Sequence, residues 1–116
     1  MHLRELLAWQ MQGYARYHAT RSNLALHIVV VPVFWVGFLA VVKGLVAWKL
    51  GWVAGGAGLM AASMALQGRG HAREPVPAVP FSGWQNALAR ILLEQWVSFP
   101  WFVATGGWLR AWRRAG

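Results

Sequence analysis

The sequence predicts an all-α membrane protein, in which a transmembrane helical hairpin carries N- and C-terminal interfacial helices in a four-helix arrangement. Of the 116 residues, 58% are hydrophobic and only 12% are charged. A water-soluble core of this size cannot bury so much apolar surface. Two uncharged runs, at 24–42 and 50–66, approach the ~20 residues that cross a bilayer. We therefore treat residues 1–116 as a single membrane domain.

Charge and cysteine content exclude several classes of function. The net charge is +8, but the eleven Lys and Arg residues are scattered between apolar runs. This distribution favours membrane lipids over nucleic acid as the partner. The chain has no cysteine, which excludes disulfides, thiolate metal ligands and a cysteine nucleophile. We expect no cleavable signal peptide, so the chain would enter the membrane by its own spans.

The N-terminal segment 3–18 has the pattern of an amphipathic helix. Leu7, Met11, Tyr14 and His18 recur at spacings of four, three and four residues, which places them on one stripe. The rest of the circumference is too polar for a transmembrane helix. We expect this helix to lie at the membrane interface or to pack on the spans.

His18 and His27 are nine residues apart, which on one continuous helix would place them on opposite faces. They converge only if the helix breaks between them. We predict the break within residues 19–23, because Ser22 and Asn23 are residue types that cap helix N-termini.

The two spans differ in composition. The first, at 24–42, contains Pro32, which is tolerated as a kink. The second, at 50–66, is rich in small residues at helical spacing, which predict the surface where the two helices approach closely. These residues are Gly51, Gly55, Gly58 and Ala62.

A polar, proline-rich connector at 67–83 is followed by helical periodicity over 84–112, interrupted at Pro100. If residues 91–109 do not cross the membrane, nine of the eleven Lys and Arg lie with the termini; if they cross, the split is six against five. The positive-inside rule therefore favours two spans and an interfacial third helix. It places both termini on the cytoplasmic side of the cytoplasmic (inner) membrane. Arg90 and Glu94 are expected to form a helical ion pair.

Three histidines and a glutamate flank the hairpin on one membrane face. Imidazole and carboxylate together suit iron(II), so His18, His27, His71 and Glu74 are the candidate metal ligands. Asn23, Gln67 and Tyr14 are candidates to hydrogen-bond the other ring nitrogens. We expect no catalytic residue beyond the ligands, and His2 is interpreted as lying outside the set. Spacing alone is more typical of interfacial histidines that bond to carbonyls than of metal ligands.

Four polar motifs in order around the hairpin carry a resemblance to a known family. They are Tyr14-x-x-Tyr17-His18-x-x-x-x-Asn23-x-x-x-His27, Gln67-x-x-Gly70-His71-x-x-Glu74, Pro77-Ala78, and a later run from Glu94-Gln95 to Gly106-Gly107-Trp108. The pattern resembles the small membrane family that includes the fungal 2-hydroxy fatty acid dioxygenase of phytosphingosine breakdown. The last motif is similar to its bacterial branch, formerly classed as a domain of unknown function.

The resemblance implies an iron(II)-dependent dioxygenase that shortens a 2-hydroxy fatty acid by one carbon with molecular oxygen. It implies that His18, His27 and His71 bind iron, with Glu74 as a further candidate. The alternative is a non-enzymatic membrane protein, in which the polar cluster fixes helix packing or binds a partner. A bis-histidine haem protein is a third reading. A homo-oligomer is left open.

Overall fold

The computed structural model describes residues 2–115, and within that range the chain is helical with no strand. The elements are α1 (Leu3–Tyr17), α2 (Arg21–Ala47), α3 (Leu50–Ala72), α4 (Trp84–Leu93), a π-helix (Glu94–Ser98), α5 (Phe99–Ala104) and α6 (Gly107–Arg114). From residue 84 to residue 104 the helix is continuous. The helical segment predicted over 84–112, with an interruption at Pro100, is instead divided at Gly106, which has φ 83°. The described chain thus has five helical segments.

The hairpin of α2 and α3 forms the long axis of the molecule, which extends 47 Å. Both helices are long and apolar enough to cross a membrane. Most of their apolar surface faces outward, in contrast to the core helix of a water-soluble protein. Examples are Val29, Val36, Leu39, Leu45 and Val46, the last of which is 77% exposed.

Glycines bring the two hairpin helices together, but they are not the ones predicted. A Cβ on Gly37 would lie 2.6 Å from the carbonyl oxygen of Gly56, and a Cβ on Gly56 would overlap that of Gly37. Only glycine therefore permits this backbone approach. The expected surface is wrong: within residues 2–115, Cβ atoms on Gly51, Gly55 and Gly58 would meet no neighbour within 4 Å.

The break between α1 and α2 occurs at residues 18–20, which overlap the start of the predicted segment 19–23, but the capping residue is neither Ser22 nor Asn23. Thr20 is the N-cap of α2, and its Oγ1 accepts the N–H of Asn23 at 3.3 Å. Asn23 therefore lies inside the first turn. Because the chain changes direction at this break, the imidazole of His27 lies beside that of His18 at the end of α1.

The second hairpin helix is six residues longer than the predicted span, because α3 continues to Ala72. Gln67 and His71 consequently lie on a helix, and the connector is confined to residues 73–83. Since Gln67 and His71 are four residues apart, they lie one helical turn from each other on the same face.

Pro100 does not end the helix at the predicted point. The π-helix directly before it has a wider turn, in which the N–H of Phe99 donates to the carbonyl of Glu94. The widened turn relieves the clash that a proline ring makes with the preceding turn of an α-helix. The core lies beside this segment, at the end of the hairpin where α1, α2, α5 and α6 meet. It consists of Tyr14, Leu24, Val31, Phe99, Phe102 and Ala111.

Candidate metal centre

Three histidines and one glutamate converge at the end of the hairpin next to this core. They are His18 at the end of α1, His27 on α2, His71 on α3 and Glu94 on the π-helix, and their ligand atoms all lie within 4.8 Å of one another. The three imidazole centroids are 4.6–5.0 Å apart, with the rings nearly perpendicular. Four separate helical elements thus contribute one side chain each.

Backbone carbonyls orient two of the three imidazoles. His18 Nδ1 lies 2.8 Å from the carbonyl oxygen of Tyr14, and His27 Nδ1 lies 3.0 Å from that of Asn23. Because a carbonyl only accepts, each Nδ1 is assigned the proton. The Nε2 atoms are left to face the centre of the group. Metal-binding histidines are commonly fixed in this way.

The donor set fits a divalent metal ion. Three buried ring nitrogens have no hydrogen-bond partner among the described residues: Nε2 of His18, Nε2 of His27 and Nδ1 of His71. Buried polar atoms rarely lack a partner. Ligands about 2.1 Å from a shared ion are roughly 3.0–4.2 Å apart, so the widest separation here needs only a small contraction. Together with a carboxylate these nitrogens suit iron(II) or another first-row cation.

Glu94 is the carboxylate of the group. Its Oε1 lies 3.3 Å from His18 Nε2 and accepts the Tyr14 hydroxyl at 3.1 Å. Burial alone would raise the pKa of Glu94, but the contact with His18 and the nearby His27 and His71 lower it to about 2. The ionised form is the one that binds metal. Burial, with the charge of Glu94, raises the pKa of Tyr14, so this hydroxyl stays protonated and donates.

Glu74 lies outside the group, which corrects the ligand predicted from the sequence. Its carboxylate accepts hydrogen bonds from the N–H groups of Ala19 (2.9 Å) and Thr20 (3.2 Å), the Thr20 hydroxyl (2.9 Å) and the Asn23 amide (2.9 Å). Helix α3 ends at Ala72, so Glu74 lies beyond the helix that carries His71. Glu74 instead holds the break between α1 and α2, near the positive end of the α2 dipole.

The three residues predicted to support the imidazoles have different places. Tyr14 touches the group directly, through Glu94 and through a stack on the His18 ring at a centroid distance of 3.9 Å. The backbone carbonyl of Asn23 accepts from His27 Nδ1, while its side-chain amide donates to Glu74. Gln67 bonds to Ser63 and Gln95, and to none of the histidines.

Sequence reasoning did not place Glu94 in the group. Two sequence signals pointed to Glu94: it is an acidic residue in a largely apolar helical segment, a feature that often marks function in membrane proteins, and it begins the last motif of the resemblance. The expected ion pair with Arg90 is absent from the described residues. Arg90 instead donates to the carbonyls of Val79 (2.8 Å) and Pro80 (3.2 Å), which leaves Glu94 free to face the histidines.

A cavity of about 530 Å³ adjoins the group, within the usual range for small-molecule sites. His18, His71 and Glu94 form part of its wall. Its apolar lining includes Trp9, Met64, Pro77, Val79, Phe81 and Ile91. The cavity therefore lies between α1, α4, the C-terminal part of α3 and the proline-rich connector.

The fold and the site define an all-helical chain with two helices able to cross a membrane and a His₃Glu group able to hold a metal ion. Comparisons with protein-family models, with curated proteins and with solved structures found no match to this chain.

Proposed function

We propose that this protein is an iron(II)-dependent membrane oxygenase that removes one carbon from a 2-hydroxy fatty acid with molecular oxygen. The observation that supports it most is a set of three buried imidazole nitrogens that make no hydrogen bond within residues 2–115 and lie beside one carboxylate, at the wall of a largely apolar cavity. The motif resemblance supplies the substrate class. Iron(II), when bound, would supply redox chemistry with oxygen and open coordination positions.

Membrane insertion is part of the proposal. The outward-facing apolar side chains of α2 and α3 need a lipid environment, because water would solvate them poorly. We place the loop at Trp48 and Lys49 on the far side, and both termini on the cytoplasmic side with most Lys and Arg. Helices α4, α5 and α6 then lie at the membrane interface. Counted as one layer, they form a four-helix arrangement with α1, α2 and α3.

Different groups of the protein would bind the metal ion and the substrate. His18, His27, His71 and Glu94 would hold the ion, and the carbonyls of Tyr14 and Asn23 keep the imidazoles of His18 and His27 in the metal-binding tautomer. The cavity receives the acyl tail and leaves the carboxylate and hydroxyl of the substrate at the ligands. Apolar walls exclude water from the reacting carbons and hold them in place.

Metal content is the direct test of this proposal. Detergent-purified protein is expected to contain about one iron atom per chain by elemental analysis, because one His₃Glu group is available. Removal of iron by a chelator should abolish turnover of a 2-hydroxy fatty acid, and iron(II) should restore it. A metal-free protein that is unchanged by chelator would favour the structural role of the cluster. A Soret band would favour haem.

Filling the cavity should separate substrate binding from metal binding. Ile91→Trp adds a large side chain to the cavity wall, whereas Leu88→Trp adds the same side chain on the exposed face of α4. We expect Ile91→Trp to lower turnover of a long-chain 2-hydroxy acid at least about 10-fold with iron content retained, since the tail loses its space. Leu88→Trp should behave as the wild type. Equal turnover in both variants would exclude the cavity as the substrate site.

A further inference from the structure

Two glutamine side chains form a closed amide pair beside the metal centre. Gln67 on α3 and Gln95 on the π-helix are 2% and 0% exposed. Gln67 Nε2 donates to Gln95 Oε1 at 2.9 Å, and Gln95 Nε2 donates to Gln67 Oε1 at 2.8 Å. Two parallel bonds fix both the separation and the rotation of the two side chains. A buried apolar contact would fix neither so strictly.

Further hydrogen bonds connect the two glutamine residues to a third helix, α2. The second N–H of Gln67 donates to Ser63 Oγ at 3.0 Å, and Ser63 in turn donates to the carbonyl of Val30 on α2 at 2.6 Å. On the π-helix, the backbone carbonyl of Gln95 accepts a hydrogen bond from Trp35 Nε1 of α2 at 2.6 Å. The amide pair joins α3 to the π-helix, and the bonds of Ser63 and Trp35 connect both of these elements to α2.

Along the chain, each glutamine is a near neighbour of one candidate metal ligand. Gln67 precedes His71 by one helical turn, and Gln95 directly follows Glu94. A π-helix at this place is typical of functional segments, and here its wide turn carries both Glu94 and Gln95. Any slip between α3 and the π-helix would break the amide pair and also separate His71 from Glu94.

We propose that the Gln67–Gln95 amide pair is a positioning device that sets the distance between His71 and Glu94, and hence the affinity of the site for metal. This inference rests on the proposed metal-dependent function. Neither glutamine is a ligand, since their polar atoms are taken up by each other and by Ser63.

The test is a double-mutant cycle with Gln67→Met, Gln95→Met and the combined variant, in chelator-stripped detergent-purified protein. Methionine keeps the length and shape of glutamine without its polar atoms. Each single variant leaves one buried amide without its glutamine partner, so its apparent Tm should fall, and the combined variant should recover most of that loss. A Gln85→Met variant, at an exposed position on α4, is the matched control.

Affinity for Co²⁺, followed by its visible absorption bands, distinguishes positioning from stability. If the pair positions the ligands, Co²⁺ affinity should stay at least about 10-fold weaker in the combined variant although its Tm has recovered. Wild-type affinity in the combined variant, with wild-type bands, would overturn the inference and leave the proposed function intact. Failure of the wild type itself to bind Co²⁺ would overturn both.

Discussion

Replacement of His18, His27 or His71 by alanine is expected to lower the affinity for iron(II) or Co²⁺ by at least about 100-fold. Each substitution removes one of four donors and leaves the ion with an incomplete set. The loss should exceed the ~10–100-fold that follows from removing residues that only orient ligands. The measurement is metal titration of the chelator-stripped protein, with elemental analysis of the protein as purified.

His2→Ala is the matched control, because His2 is exposed and lies outside the group. Thermal unfolding separates a ligand from a packing residue. A metal that binds only the folded protein raises the apparent Tm. We expect that rise in the wild type and in His2→Ala, and its absence in the other three variants. Full metal content in all three would contradict both the centre and the function built on it.

Much of the fold follows from local patterns in the sequence. The two uncharged runs predict the hairpin, and the half-turn offset of His18 and His27 requires the break that occurs at residues 18–20. The position of that break was less predictable. Thr20, Ser22 and Asn23 are all acceptable caps, and the choice depends on Glu74, which is more than fifty residues away.

The identity of the carboxylate could not be read from spacing. The i, i+3 relation of His71 and Glu74 predicts a shared face only if one helix contains both, and α3 ends at Ala72. Glu94 reaches the group because the π-helix and the packing of α1 against it bring distant segments together. Such contacts depend on tertiary structure, and the local sequence carries no direct signal of them.

The two glutamates should therefore give opposite results on neutralisation. Glu94→Gln is expected to weaken Co²⁺ binding about 10–100-fold, because it removes the negative charge that faces the three imidazoles. Glu74→Gln should leave the Co²⁺ affinity within about 3-fold of the wild type, because its carboxylate bonds to Ala19, Thr20 and Asn23. The reverse order, with metal lost only in Glu74→Gln, would restore Glu74 as the ligand.

Thermal stability, unlike Co²⁺ affinity, should fall in Glu74→Gln. Glu74 accepts four hydrogen bonds, and a glutamine there must turn an N–H₂ group toward donors. The cost is roughly 2 kcal/mol, or a fall of about 5–10 °C in apparent Tm. The pKa of Glu74 determines the pH range over which this Tm difference is observed. Burial would raise it, but the bonds from Ala19, Asn23 and Thr20 lower it below the ordinary value.

A carboxylate with a lowered pKa in the folded protein adds stability above its unfolded pKa of about 4.3, and the contribution disappears as the pH falls through the folded value. The Tm difference between the wild type and Glu74→Gln should thus be full at pH 7 and should shrink below about pH 4. Metal-free protein is the sample to use, because protonation of the histidines would otherwise release metal in the same titration. A Tm difference that does not change with pH would mean that the carboxylate charge contributes nothing to the junction of α1 and α2.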